Sequence, residues 1–588
     1  MKLLTLAVAV LADYDYIVVG SGPGGGTLAT ELALKGFKTL LIEAGPMYFH
    51  ANQSTPAFQA RASEDPATTF DFDVKHYDNN VRYFYPRAGV LGGCSIHNAM
   101  ISVYPNARDF KLMQTITGDE AWSEPNMRKY FKRMERNQYT TSQDHGYGGW
   151  LSTSYINFLR QLRLDANLFN FLAAVIGGIF YDLNGKVRNG LNTDKEANVF
   201  VPQAVDTARY TRANFQKYMC NVENKTRLDI WTNTFVTKVL FKGNVAVGVE
   251  YRKGQYLYKA SPLSTDANRQ RASKGSVMAS EVIISAGTFN TPQLLMLSGI
   301  GPKEHLESFN IPVVADVAGV GRNMMDRYEI PIVIQYQAKF NLLKACKFTP
   351  TEEDPCYREF IQTRTGPYTS NGVVSGKLVK SNKSLHEPDL FILNALSDFH
   401  GYYRGYSKNL ARRLDSSTRL ILKAHTSNTN GQVKLQSNDP FDVPDINFHS
   451  FSDGDRDLNI LVNALKNERN FLKRNIFVKY KELHPGPRIK TNQQIRSYIK
   501  DTAWGHHACC TAKMGTPDDP DAVIDAKFRV RSIKNLRVVD MSIFPKIPGY
   551  FPAVYLHMMA MKAADDIAPP PTPKPKRTRP KPSFRLWR

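Results

Sequence analysis

The stretch Tyr14-Asp-Tyr-Ile-Val-Val-Gly-Ser-Gly-Pro-Gly-Gly-Gly-Thr27 leaves this chain few choices of fold. An apolar run ends at Gly20. Gly20, Gly22 and Gly25 then spell G-x-G-x-x-G, with Pro23 inside the turn. A helix is expected over Gly26–Gly36, followed by a second apolar strand, Thr39–Ile42, that stops at Glu43. The first glycine permits the tight turn, the second lets a pyrophosphate approach the backbone, and the third lets helix and strand pack closely. The helix N-terminus then faces the anion. Glu43 lies 23 residues after Gly20, where a carboxylate can accept hydrogen bonds from a ribose diol. The pattern predicts a dinucleotide-binding β-α-β unit. By itself it does not separate FAD from NAD.

At 588 residues the chain is long enough for two or more domains. Its formal charge is +22, and residues 569–588 carry seven basic residues and no acid. A basic body can attract acidic substrates or anionic surfaces, but no recognition motif for nucleic acid is present. The tail is Pro-rich and cannot bury a core, so residues 568–588 are expected to be disordered. Residues 1–12 form a short apolar segment suited to targeting, which points to secretion, with the cytoplasm as the alternative. Sequons at Asn52, Asn224 and Asn382 are compatible with secretion. No segment is long and apolar enough to span a membrane. Six cysteines do not make a disulfide scaffold in a chain this long. Cys346 and Cys356 can bridge. Cys509 and Cys510 are read as small residues and not as a disulfide, because vicinal bridges are strained. No cysteine or histidine cluster has zinc spacing, so no metal is expected.

Further motifs follow in order. Pro86-Arg-Ala-Gly-Val-Leu-Gly-Gly-Cys-Ser-Ile-His-Asn98 places small residues, including Gly93 and Ser95, before an imidazole, His97, and an amide, Asn98. Backbone N–H groups there can close on a flat or anionic ligand. Residues Trp122–Arg136 read as a helix with a core face, and residues 155–182 as helical and apolar. Leu228–Tyr251 alternates like paired strands turning at Lys242-Gly-Asn244. Glu281–Gly301 predicts a strand to Ser285, a close-approach turn at Ala286-Gly287, and a helix starting near Thr291-Pro292. Strands are expected at Asp389–Leu393 and Leu420–His425, and a helix over Asp455–Leu472. Thr502-Ala-Trp-Gly-His-His-Ala-Cys-Cys-Thr-Ala-Lys-Met-Gly515 carries two adjacent histidines, either suited to proton transfer near neutrality.

These stretches together resemble the glucose–methanol–choline (GMC) oxidoreductases, in the branch similar to choline oxidase and choline dehydrogenase. The likeness covers roughly residues 13–567 and is carried by Gly20–Gly25, by Gly92-Gly-Cys-Ser-Ile-His-Asn98, by Glu281–Gly301, and by His507 with Thr511 and Met514-Gly515. It implies an α/β protein with a Rossmann-like FAD-binding domain and an antiparallel-sheet substrate domain. The expected division is an FAD-binding part over 13–340, a substrate domain over 341–500, and a segment over 501–567 that returns to the FAD domain. The resemblance implies FAD held by Gly20, Gly22, Pro23, Gly25, Glu43, Gly93, Ser95, Asn98, the Val236 backbone, Ala286, Asp540 and Phe551, with His97 the point of covalent attachment.

It further implies oxidation of an alcohol to an aldehyde or ketone, with His507 as base, hydride passing to flavin N5, and oxygen or a quinone-like acceptor reoxidising the flavin. Two departures stand out. Arg327 occupies a position where the family often has histidine. Phe551 occupies the second active-site position, where the family has histidine or asparagine; phenylalanine can neither take a proton nor hydrogen-bond an oxygen. Three readings are open: His507 is helped by another polar group such as His506, or Tyr550 or His557 takes the role, or FAD serves some other end. The alternatives to oxidation are a lyase or cyclase with structural FAD, and a flavin-containing binding protein. The particular alcohol, the acceptor and the oligomeric state are left open.

Overall fold

The computed structural model describes residues 12–79, 81–155, 180–187, 190–474 and 479–569. The targeting segment, the basic tail and most of the expected 155–182 helix lie outside them. Within that last stretch Phe180–Asp182 is extended, a strand where a helix was expected.

The chain is built on two large sheets. The first contains β1 (Tyr14–Val19), β2 (Thr39–Ile42), β3 (Leu228–Trp231), β4 (Thr234–Lys242), β5 (Val245–Lys253) and β6 (Ser273–Ile284), in the order β3-β2-β1-β6-β5-β4. β3, β2, β1 and β6 run parallel, while β5 and β4 add on antiparallel. A strand from far along the chain, Leu536–Val538, pairs parallel with β6. The inner strands are apolar on both faces: Ile17, Val18, Leu40, Leu41, Ile283 and Ile284 are all within 1% of full burial. That is how parallel strands covered on both sides read. Helix α1 (Pro23–Leu34) opens directly from the glycine turn, with proline in its first turn.

The register fixes where a ligand can go. Val19 pairs with Ile42 and with Ile284, and Ile284 pairs with Val538. Gly20, Glu43, Ser285 and Val539 therefore emerge together at the carboxyl edge of the sheet, where open α/β sheets bind ligands. Helix α2 (Gly287–Leu297) starts at this edge. It begins earlier than expected, with Pro292 inside it and not at its start.

The second sheet contains β7 (Tyr328–Tyr336), β8 (Val373–Val379), β9 (Leu390–Ala395), β10 (Ser416–Lys423) and β11 (Tyr480–His484), in the order β11-β7-β10-β9-β8, extended by Ala197–Phe200 and Phe180–Asp182. It is antiparallel apart from that last pairing. Its outer face carries the long helix Arg456–Arg474, whose Leu458, Leu461 and Leu465 are fully buried. Helix α3 (Ala553–Ile567) returns to the first sheet and packs beside α1, with Lys35 and Asp565 paired at 2.9 Å.

Two disulfides are present. Cys346–Cys356 forms as the spacing allowed. Cys509–Cys510 also forms, against expectation: the backbone at Cys510 takes φ +82°, which lets two adjacent sulfurs meet. Asn52 is 9% exposed and donates to Asp65, so that sequon lies within the packed structure. Among the described residues no helix is long and apolar enough to cross a membrane.

Candidate active site

Among the described residues a large cavity of about 350 Å³ runs from the carboxyl edge of the first sheet to the inner face of the second. Its cradle end is backbone. A Cβ on Gly22 or Gly287 would meet only open space, so the main chain there borders room for a ligand. A Cβ on Gly93 would lie 2.7 Å from Gly22 Cα, which brings the second glycine loop onto the first. Gly25 does not line the cavity; its missing side chain lets the turn close, since a Cβ would sit 2.0 Å from Gly20 O.

Glu43 is 6% exposed and borders the cavity. It accepts from the Ser21 amide (3.0 Å) and hydroxyl and from the Gly45 amide (2.9 Å). Asp540 also lines the cavity. Oδ2 accepts from Gly287 N (2.8 Å) and Thr291 Oγ1 (2.6 Å), and Oδ1 from Ser542 N and Oγ. Asp540 thus fixes the first turn of α2. Pro23, Val236, Ala286 and Asn98 also line the cavity. Ser95 does not; it borders a small adjoining pocket with a buried hydroxyl that has no partner.

These features fit a flat dinucleotide with a pyrophosphate. The orphaned ring of His97 adds to the fit. It is 3% exposed, both ring nitrogens lack a partner, and it borders the cavity. Burial pushes its pKa well below the usual histidine value, leaving a neutral ring with a free lone pair.

The opposite end holds the titratable groups. His507 and Phe551 face each other edge to face, with ring centroids 5.5 Å apart. Apolar and aromatic side chains, including Val373, Leu393, Phe399 and Leu420, make much of the wall around them, with Asn371, Ser397 and Thr418 among them. His506 stacks on Tyr402 at 4.3 Å, and its Nδ1 lies 3.2 Å from the tyrosine hydroxyl, while its Nε2 is buried without a partner. Burial, with Arg87 nearby, lowers the His506 pKa to about 3. The two substitutes considered for Phe551 are elsewhere. The Tyr550 hydroxyl bonds the carbonyls of Pro388 (2.9 Å) and Thr193 (3.1 Å), and His557 Nδ1 lies 2.7 Å from Thr27 Oγ1. Neither residue lines the cavity.

Arg327 is 1% exposed and joins four segments. Its NH1 donates to the carbonyls of Ala424 and Gly549 and its NH2 to that of Pro548. Its Nε donates to His507 Nδ1 at 3.1 Å. Burial lowers its pKa to about 10, so it remains cationic at neutral pH. Burial and this cation hold His507 well below its usual pKa. Beneath them Asp326 accepts from Tyr85 OH (2.6 Å) and from the His507 amide (2.9 Å).

Glu329 was not singled out from the sequence, yet it lines the cavity with Oε1 3.9 Å from His507 Nδ1. Burial, with Asp326 adding to it, raises its pKa to about 8. A lone acid at the second position of an otherwise apolar strand, Tyr-Glu-Ile-Pro-Ile-Val-Ile, was the signal that could have found it.

Outside the cavity Asp398, His400 and His484 come together, which spacing did not reveal. Arg413 takes the second Asp398 oxygen at 3.2 Å, and the two rings stack with planes 19° apart.

Two models described as GMC oxidoreductase match residues 14–329 and 427–560. An oxygen-dependent choline dehydrogenase of Chromohalobacter salexigens is 30% identical over 574 residues, covering 94% of this chain and 95% of its own. A formate oxidase structure from Aspergillus oryzae RIB40 superposes with a TM-score of 0.78 at 20% identity, over 94% of this chain and 98% of that one. A fungal aryl-alcohol oxidase does so with a TM-score of 0.73 at 21% identity, over 94% and 98%.

Proposed function

The chain belongs to the GMC oxidoreductase family, and from that premise we propose how its own residues serve the FAD-dependent oxidation of an alcohol. Bound FAD supplies the hydride acceptor. Gly20, Gly22, Pro23, Glu43, Gly93, Asn98, the Val236 backbone and Ala286 hold it, with Gly25 closing the turn and Asp540 fixing the first turn of α2. His97, neutral and orphaned beside this space, is the covalent tether. Its test is whether flavin stays with acid-precipitated protein and is released in His97→Ala.

The observation that carries the reading is the position of His507. It is the one histidine whose ring meets Phe551 across the cavity, and 17% of its side chain is open. The alcohol oxygen binds at that ring. Phe551 closes the facing wall without a polar group, so it excludes water from the reacting carbon and takes no part in proton transfer. The aromatic and aliphatic lining suits an alcohol with an apolar or aryl body. A choline dehydrogenase named as oxygen-dependent supports oxygen as the acceptor, with a quinone-like compound the alternative. The relatives described above are named as a dehydrogenase and as oxidases, which favours oxidation over the lyase reading.

The test is anaerobic. Primary, secondary, aryl and sugar alcohols are added while the visible flavin band is followed, and air is then readmitted. Bleaching by one class and recovery in air support the reading; no bleaching by any of them overturns it.

A further inference from the structure

Resting on that reading, we infer that Arg327 locks His507 as a hydrogen-bond donor, so that His507 holds the alcohol oxygen while Glu329 takes the hydroxyl proton. The tautomer follows from partners. A guanidinium Nε–H can only donate, so the nitrogen facing it must be a bare lone pair. Arg327 Nε faces His507 Nδ1 at 3.1 Å. The neutral ring then carries its single proton on Nε2, the nitrogen left for the cavity. An imidazole that presents N–H to a hydroxyl cannot accept that hydroxyl's proton. It can stabilise the oxygen as negative charge grows on it, as oxyanion donors do.

Arg327 cannot easily release this hold. Three backbone carbonyls fix its guanidinium from two other segments, 424 and 548–549. The second of these leads directly into Phe551. One buried side chain therefore sets both the ring's proton and the facing wall.

A proton acceptor must then be found among the remaining cavity groups. His97 is committed to the flavin, and the free Nε2 of His506 is buried. Glu329 is the carboxyl on the wall beside His507, with Oε1 3.9 Å from its Nδ1, so a hydroxyl held on Nε2 passes its proton there through one water. In the balanced step the O–H proton passes to the Glu329 carboxylate, the C–H hydride passes to the oxidant, and the carbonyl oxygen stays on His507 Nε2–H. The charged and titratable groups facing this pair are Arg327, Asp326, Arg87, His506 and Tyr402. A Glu329 pKa of about 8 suits a general base near neutral pH.

Asparagine decides the question, because its amide can donate but cannot take a proton. In anaerobic stopped-flow flavin reduction, His507→Asn should retain a rate within about tenfold of wild type, while His507→Ala falls by about 10²–10³. Glu329→Gln should fall by about 10²–10⁴ in the reduction rate, beyond any change in KM. The wild-type rate should climb with pH through about 8 and become flat in Glu329→Gln. The ¹⁵N spectrum of histidine-labelled protein, with the His507 signal assigned by its loss in His507→Ala, should show an unprotonated Nδ1. Arg327→Met, if it folds, should release that signal to a mixture of tautomers.

Equal loss in His507→Asn and His507→Ala, or a protonated Nδ1, overturns the inference while leaving alcohol oxidation intact. A pH profile unchanged in Glu329→Gln overturns the proton assignment alone. A wild-type flavin that no alcohol bleaches overturns the oxidation reading and the proton step with it, and the ¹⁵N spectrum still decides the tautomer.

Discussion

The two ends of the cavity are made from different materials. The cradle is main chain: glycines at 20, 22, 25, 93 and 287 give room or allow contact, and its acids, Glu43 and Asp540, spend most of their bonds on backbone amides and hydroxyls. The chemical end is side chain. There burial leaves His506 and His507 neutral and lifts Asp326 to about 6 and Glu329 to about 8. Backbone geometry can hold a cofactor without being altered by it. Desolvated side chains sit where a small charge change has large consequences. Binding and chemistry should therefore fail separately.

The largest expected effect is at the cradle. Gly25→Val would place side-chain atoms against Gly20 O and Ser285, and purified protein should carry no flavin, read from its visible spectrum. Bound flavin in that variant would break the claim that the turn must close. The converse variant, His507→Ala, should keep its flavin and lose about 10²–10³ in reduction rate. Loss of flavin there would blur the two ends into one. Asp540→Ala sits between them. It strips Gly287 N, Thr291 Oγ1 and Ser542 of a buried acceptor and should cost on the order of 3 kcal/mol of stability, measured by denaturant unfolding, with flavin affinity falling too.

The smallest effect tests a site outside both ends. His145 lies between Glu135 (2.9 Å) and Asp182 (2.8 Å), which raise its pKa to about 9 against the desolvation that would lower it. Its folded value exceeds its unfolded one. The stability it contributes is therefore full below about 6.5 and lost as pH rises through about 9. The melting temperature of wild type should drop over that window more than that of His145→Gln. An equal drop would show that the ion pairs contribute nothing there.

The cradle was legible because it is local. One strand, one turn and one helix within thirty residues carry Gly20, Gly22 and Gly25, with Gly93 and Gly287 in two further motifs, and alternation located the strands of the first sheet but only β9 and β10 of the second. The Arg327–His507 contact was not legible. It joins residues 180 apart, and two isolated bridges, Glu329 with Trp504 and Met325 with Cys509, bring the start of β7 beside the 504–510 segment. Phe551 could be placed by counting, but its partner wall could not. The Cys509–Cys510 bridge was rejected on average backbone geometry, and one left-handed residue overturned that. The start of α2 was set too late because Pro292 was taken as a first-turn proline, whereas the helix begins at the φ +85° glycine, Gly287.

The strand Leu536–Val538 and helix α3 complete a cradle begun at Gly20, with Val539 O only 2.5 Å from where a Cβ on Gly24 would be. During synthesis the glycine turn leaves the ribosome long before the residues that close it. The nascent first half therefore exposes an unfinished nucleotide site, whose parallel sheet lacks its last strand. FAD loading belongs to the finished polypeptide, and flavin supply in the cell should govern how much of the completed chain survives, not how fast it is made.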